Sequence, residues 1–351
     1  MAATSDESQI RSQSRPNCIL CGVPGILIHE KLQDRLFGAW GMWSQKKCSN
    51  RGCGLVWLDP MPLTEDIGRA YRNYYTHASP SEAGRISLTR RAYRTIKRAY
   101  QVSRYNYRTG LMSFGEMVVG LPMYLFPLSR GEADAELRFL QSVPQGRLLD
   151  VGCGSGEWLL SMQTLDWQVE GLDFDENAVA VGHQRGLAVR HGSLEQQNLP
   201  KDSFDAVTLS HVIEHVDDPV RTLSECARIL KPGGKLIVAT PNNTSLGHRF
   251  FKENWRGLEP PRHLHIFSPQ SLRQTLAQAG FQNVDIRPQI ARSVISESFY
   301  LWRGAADGSA LTARSWPGWL FTRIFNGLEL CLVRFNPAIA DCMCAIAVKS
   351  P

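Results

Sequence analysis

No apolar run in the chain reaches the ~18 residues that a membrane-spanning helix requires. The longest candidate, 117–128, is broken by Pro122 and Pro127. The first 15 residues are polar, carry both charge signs and lack the basic-then-apolar order of a secretory leader. They are expected to be a disordered tail, and the chain to be cytoplasmic, with membrane association left open. Acid is missing altogether from 83–115, which instead holds Arg85, Arg90, Arg91, Arg94, Lys97, Arg98, Arg104 and Arg108, interleaved with Tyr93, Tyr100, Tyr105 and Tyr107. This basic stretch reads as a solvated helix face or as a surface for an anionic partner such as a lipid-linked substrate, membrane headgroups or RNA. A net charge of only +6 does not demand nucleic acid. Otherwise the 351 residues, 43% hydrophobic and 21% charged, suit a soluble protein of about two domains.

Cysteine is scarce, with nine in the chain, yet four are paired in sequence. Cys18-x2-Cys21-Gly22 and Cys48-x4-Cys53-Gly54 have the form of two knuckles. Thiolates so spaced can close a tetrahedral Zn2+ site, and nothing indicates export that would favour disulfides. Four thiolates leave no open position, so such a zinc is structural.

The third glycine of a dinucleotide fingerprint is also missing. Leu148-Leu149-Asp150-Val151-Gly152-Cys153-Gly154-Ser155-Gly156 reads as a strand entering a tight turn that opens a helix, but Glu157 stands where Gly-x-Gly-x-x-Gly needs a glycine. An acid there is badly placed for a diphosphate and disfavours a nicotinamide oxidoreductase. A second strand, 167–173, ends in Asp173, whose carboxylate can accept two ribose hydroxyls, while Asp175 suits the N-cap of the next helix. Strands are also expected over 187–191, 204–210 and 235–240, with a helix over 219–230 ended by Lys231-Pro232-Gly233-Gly234. Farther on come a helix over 268–279 and strands over 281–287 and 341–349. The order is doubly wound β/α.

The segments "LLDVGCGSGEWLL", "GLDFDENAVAVG", "FDAVTLSHVIEHVDDP", "RILKPGGKLIVATPN" and "WRGLEPPRHLHIFSP" together resemble class I S-adenosylmethionine-dependent methyltransferases, in a branch acting on glycans, lipids or secondary metabolites. The resemblance covers about residues 140–290. It implies an α/β, doubly wound, Rossmann-like seven-stranded sheet, with a small N-terminal zinc-ribbon-like module and a helical cap. The implied division is a tail over 1–15, a zinc module over 16–62, a helical cap or linker over 63–140 and a cofactor domain over 141–351. It further implies that S-adenosylmethionine is held by Asp150, Gly152, Cys153, Gly154, Asp173, Phe174, Ser193, Leu194, Ser210 and His211, with Gly152 and Gly154 against its methionyl part and the 192–195 turn beside its adenine. Relatives space the second cysteine pair C-x2-C, so Ser49 to Gly52 stretch it here.

Transfer to a hydroxyl needs orientation and a base, a task suited to histidine. His211 and His215, four apart on an expected short helix, form one candidate group, and His263 and His265 another. His265, His215 and His263 are the candidate catalytic residues, with Arg262 and Trp255 as acceptor contacts. Some relatives of the fold bind a divalent ion through E-x-x-E-H and later histidines, whereas here His211 replaces the first acid. The segment 296–335 is an apolar insertion whose Trp302, Trp316, Trp319, Phe321, Phe325 and Leu328 pack a cap, dip into a membrane interface or pair subunits. The favoured reading is O-methylation of a small-molecule, glycan or lipid-linked acceptor. The alternatives are an RNA methyltransferase using the basic helix, and a binding protein with a vestigial domain.

Overall fold

The computed structural model describes residues 9–72, 87–107, 118–305 and 315–350. Seven strands form one sheet: β1 (Arg147–Val151), β2 (Gln168–Asp173), β3 (Ala188–His191), β4 (Phe204–Ser210), β5 (Leu230–Pro241), β6 (Asn283–Gln289) and β7 (Cys342–Val348). Their spatial order is β6-β7-β5-β4-β1-β2-β3. β1 pairs in parallel with both β2 and β4, and β2 with β3. Chain order therefore reverses between β1 and β4, the topological switch point at whose carboxyl edge open α/β sheets bind ligands. This is the seven-stranded, doubly wound α/β sheet expected from the sequence.

The chain divides into two compact units, Met1–Tyr75, His211–Ser224 and Val238–Ala345 against Thr76–Ser210, Glu225–Ile237 and Ile346–Pro351. In the second unit, Leu148, Leu149, Phe204 and Val207 are fully buried, as strands covered on both faces require. The helix Leu88–Tyr105 begins at Ser87, whose side chain caps Arg90 N, and ends at left-handed Asn106. Its Tyr100 and Tyr105 are buried, and the Tyr100 hydroxyl donates to Asp134, so these tyrosines belong to the packed face. Lys97 is paired with Glu136 at 2.6 Å, while Arg85 and Arg108 lie outside the described residues. The turn expected over 231–234 is drawn into β5, because Gly233 N donates to Lys349 O and Lys349 N to Gly234 O, both at 3.0 Å.

The first unit holds a four-stranded sheet in the order His265–Ile266, Val56–Leu58, Trp43–Cys48, Gly25–Leu32. The tail expected over 1–15 departs from the structure at its distal end. Ser12–Gln13 pairs with Met61–Pro62, Ile10 is buried, and Arg11 Nε meets Asp66 at 2.6 Å, a polar anchor that composition does not reveal. The insertion provides the helices Arg292–Trp302 and Trp316–Val333.

Candidate functional site

In the second unit, β1 runs into a loop whose three glycines are all left-handed: φ is 71° at Gly152, 54° at Gly154 and 77° at Gly156. L side chains avoid that region. A Cβ on Gly156 would also strike Leu187 Cδ1 at 2.2 Å, whereas one on Gly154 would meet nothing within 4 Å. The loop is tied to β2. Gly152 N and Cys153 N donate to Leu172 O, and Gly154 N donates to Asp173 Oδ2 at 2.7 Å. Asp173 Oδ1 accepts Asp175 N at 3.0 Å. Burial pushes the Asp173 carboxyl up, against the pull of these two N–H groups. Each oxygen keeps a lone pair beyond the N–H it accepts. The helix cap is Asp175, which accepts Asn177 N, as the sequence suggested.

Asp150 faces inward. It is 1% exposed, and its Oδ1 receives Arg138 and the Thr208 hydroxyl, the latter at 2.8 Å. Its Oδ2 has no hydrogen-bond partner among the described residues. The Arg138 guanidinium lies 3.6 Å above the Trp158 ring. Neither Arg138 nor Thr208 was singled out in the sequence, since their meeting with Asp150 spans 12 and 58 positions and follows no motif spacing. Cys153 packs over Gly171, where a Cβ would meet its sulfur at 2.6 Å, and burial pushes its thiol up. Phe174 and Ser193 are exposed, Leu194 is buried, and Ser210 is half-buried at the end of β4.

In the first unit, the sulfurs of Cys18, Cys21, Cys48 and Cys53 all lie within 4.8 Å of one another. The Cys18–Cys53 and Cys21–Cys48 separations are 3.7 and 3.4 Å, near the ~3.8 Å edge of a tetrahedron with Zn–S bonds of about 2.3 Å. Each knuckle turns on a left-handed glycine, Gly22 or Gly54. The stretched second pair is accommodated by Asn50, whose carbonyl accepts Cys53 N and Gly54 N and whose side chain accepts Gly52 N. The donor set thus fits a closed, structural zinc.

The histidines of the same unit are gathered by hydrogen bonds between 211–217 and 262–265. Leu264 N and His265 N both donate to Glu214 O. The short helix expected to align His211 with His215 is absent. His211 leaves the strand at φ 56° and donates its N–H to Ala239 O, so the two rings do not share a helix face. His211 is exposed, and its Nδ1 lies 3.2 Å from Glu214 Oε1, while Thr240 Oγ1 donates to Oε2 at 3.0 Å. Burial would push the Glu214 carboxyl up. The His211 hydrogen bond and the charges of His211, His215 and His263 outweigh it and bring it down to about 2.

His215 is half-buried, with Nδ1 2.9 Å from Arg262 O and from Tyr71 Oη. A carbonyl neighbour requires that nitrogen to carry the proton, leaving the Nε2 lone pair open. His263 is buried and its Nδ1 is 2.8 Å from Gly257 O. His265, 1% exposed, sits opposite Trp57 in the four-stranded sheet, its Nε2 3.2 Å from Asp217 O. Burial pushes both His263 and His265 down to about 4. Arg262 is fully buried against Asp34 and Glu259, and Trp255 stacks on His248 with centroids 4.8 Å apart, so both belong to the packed interior. Glu214, His215 and His263 present ligand atoms within 4.8 Å of one another, a second group able to hold a metal ion.

Comparison with known proteins bears on these groups. Residues 129–286 match a family model described as a methyltransferase domain. A probable S-adenosylmethionine-dependent methyltransferase of Mycolicibacterium smegmatis is 35% identical over 142 residues, 39% of this chain and 52% of its own length. A ubiquinone biosynthesis O-methyltransferase of Xanthomonas oryzae pv. oryzae is 43% identical over 105 residues, 28% of this chain and 44% of its own. A crystal structure of an S-adenosylmethionine-dependent methyltransferase from Archaeoglobus fulgidus aligns with a TM-score of 0.43 at 22% identity, over 64% of this chain and 94% of that one. The chain spans about half the length of the curated relatives it matches.

Proposed function

Residues 129–286 form a class I S-adenosylmethionine-dependent methyltransferase domain, and from that premise we propose that the chain O-methylates a small-molecule, glycan or lipid-linked acceptor. The observation that carries the cofactor part is the fastening of the glycine loop to Asp173. Gly154 supplies a backbone that opens on clear space, and Asp173 supplies acceptor oxygens for ribose hydroxyls. Held by the glycine loop and Asp173, S-adenosylmethionine would supply the acceptor oxygen with a methyl carbon from its sulfonium, leaving a neutral thioether. The proton leaving the hydroxyl needs a base. We assign that to His215, because its Nδ1–H is fixed by Arg262 O, its other nitrogen keeps a lone pair, and it is less buried than His263 or His265. The Xanthomonas relative's name, that of an O-methyltransferase, supports oxygen as the atom methylated.

A second reading is favoured by the Glu214–His215–His263 group. One carboxylate and two imidazoles, each with Nδ1 beside a backbone carbonyl, suit a divalent ion of the zinc type. Such an ion would supply Lewis acidity toward a hydroxyl acceptor. Elemental analysis separates the two readings. One zinc per chain assigns the metal to the cysteines alone, and a second ion lost in His263→Ala favours the bound-ion reading. The reaction itself is tested by incubating a cell extract with the protein and isotopically labelled cofactor. Label in a new methyl ether of a small or lipid-linked product is expected. Label confined to RNA, or none despite cofactor binding, overturns the proposal.

A further inference from the structure

The helix Trp316–Val333 is apolar on two sides. One side packs inward through Phe325 and Val333. On the other, Trp316, Leu320, Ile324, Leu328 and Leu332 follow at steps of four, with Trp319 three from Trp316, which sets them in one stripe facing water. Trp316 is 72% exposed and Ile324 63%, and Phe335 just past the helix reaches 89%. Exposed Trp302 and Phe250 extend the face, their rings 6.2 Å apart. A contiguous exposed apolar face of this kind marks a contact surface.

The charges select the partner. Among the described residues of 291–340, the exposed charged side chains are Arg292, Arg303, Arg323 and Arg334, all basic. The two acids turn inward, Glu297 toward Arg256 Nε at 2.7 Å and Glu329 toward Asp341 N at 2.8 Å. Pairing two copies of this face about a two-fold axis would set Arg303, Arg323 and Arg334 against their own copies, with no exposed acid among the described residues of 291–340 to offset them. An anionic lipid surface satisfies both parts, with an acyl boundary for Trp, Ile and Leu and phosphates for Arg. The Arg323 guanidinium lies 4.3 Å over the Trp319 ring, a pairing suited to headgroup depth. The 18-residue helix would lie flat over roughly 27 Å. No described helix is long and apolar enough to cross a membrane.

We propose that this face is an interfacial anchor that seats the protein on an anionic lipid surface. The test is sedimentation of the full chain with vesicles of phosphatidylcholine alone or with roughly one third phosphatidylserine. The expected result is binding to the anionic vesicles at least about tenfold tighter than to the neutral ones, and weakening with salt. The triple variant Trp319→Ser, Ile324→Ser, Leu328→Ser should lose at least about tenfold in binding to anionic vesicles. Arg323→Glu with Arg334→Glu should abolish the preference for phosphatidylserine. Cofactor affinity by calorimetry, unchanged in both variants, shows that they fold. Should the triple variant not fold, quenching of the parent's tryptophan emission by brominated lipid decides, and its absence overturns the proposal. Equal sedimentation of parent and triple variant overturns it too, as does a parent that ignores vesicles and dimerises through this face.

Discussion

Asp173 fastens the glycine loop and the residue that caps the next helix with the two oxygens of one carboxylate. Each oxygen accepts one backbone N–H, from Gly154 or Asp175, so the side chain fixes the loop before any ligand arrives. Replacing it removes the tether and, in the function proposed above, the acceptor for ribose hydroxyls. Asp173→Ala should weaken S-adenosylmethionine binding about 100-fold by calorimetry, since hydrogen bonds to a charged acceptor carry the larger share of such contacts. Unchanged affinity would remove Asp173 from the cofactor site. Gly154→Ala separates backbone from side chain: no neighbour obstructs the new Cβ, so only the left-handed φ penalises it. It should lower affinity by about tenfold while leaving the melting temperature within a few degrees. His215→Gln tests the proton acceptor. Its turnover should fall about 10²–10⁴-fold with cofactor affinity retained, and a variant turning over at the parent rate would eliminate His215 as the base.

At the scale of elements, the four-cysteine cluster and the 265 strand are one construction. His265 and Ile266 pair with Trp57 and Val56, Ser268 Oγ donates to Cys53 O at 3.0 Å, and Asn243 Nδ2 donates to Gly54 O at 3.0 Å. Loss of a zinc ligand should therefore loosen the strand that bears His265 along with the knuckle itself. Cys53→Ser is expected to release about one zinc per chain, lower the melting temperature and reduce turnover together. Full zinc content in the variant would show that the thiols hold no ion. Much of this was legible in sequence. The sheet strands announced themselves because burial on both faces demands mostly apolar runs such as 204–209, interrupted only by Asp205 and Thr208, and the loop because glycine most readily accepts three left-handed positions in five residues. Other parts were not. The i, i+4 spacing of His211 and His215 matches a helix, but the hydrogen bond from His211 N to Ala239 O turns the chain instead. The Arg138–Asp150–Thr208 cluster and the Arg11–Asp66 anchor depend on meetings between distant positions that no local pattern encodes.

For the molecule as a whole, buried titratable groups shape stability against pH in opposing directions. Burial pushes Glu329 up to about 8 and Asp341 up to about 7. An acid raised in the folded state contributes stability fully below its unfolded pKa, near 4.5 for Glu329, and that contribution is lost as pH rises to about 8. Burial drives His248, His263 and His265 down from 6.5 to about 4, so their contribution is present above 6.5 and lost as pH falls toward 4. Glu214, held near 2, adds a loss below its usual 4.5. Between about 4.5 and 6.5 the raised acids offset part of the gain from the lowered histidines, and from about 6.5 to 8 the acids' loss stands alone, so the parent's melting temperature should fall over that upper interval. Glu329→Gln isolates one of these groups. The carboxamide keeps the shape of the protonated acid and cannot ionise, so the melting temperature of the variant minus that of the parent should rise with pH from about 4.5 and level off above about 8. Thermal melts across that range measure the difference directly, and a difference that stays constant with pH would mean that Glu329 is ionised in the fold as readily as in the unfolded chain.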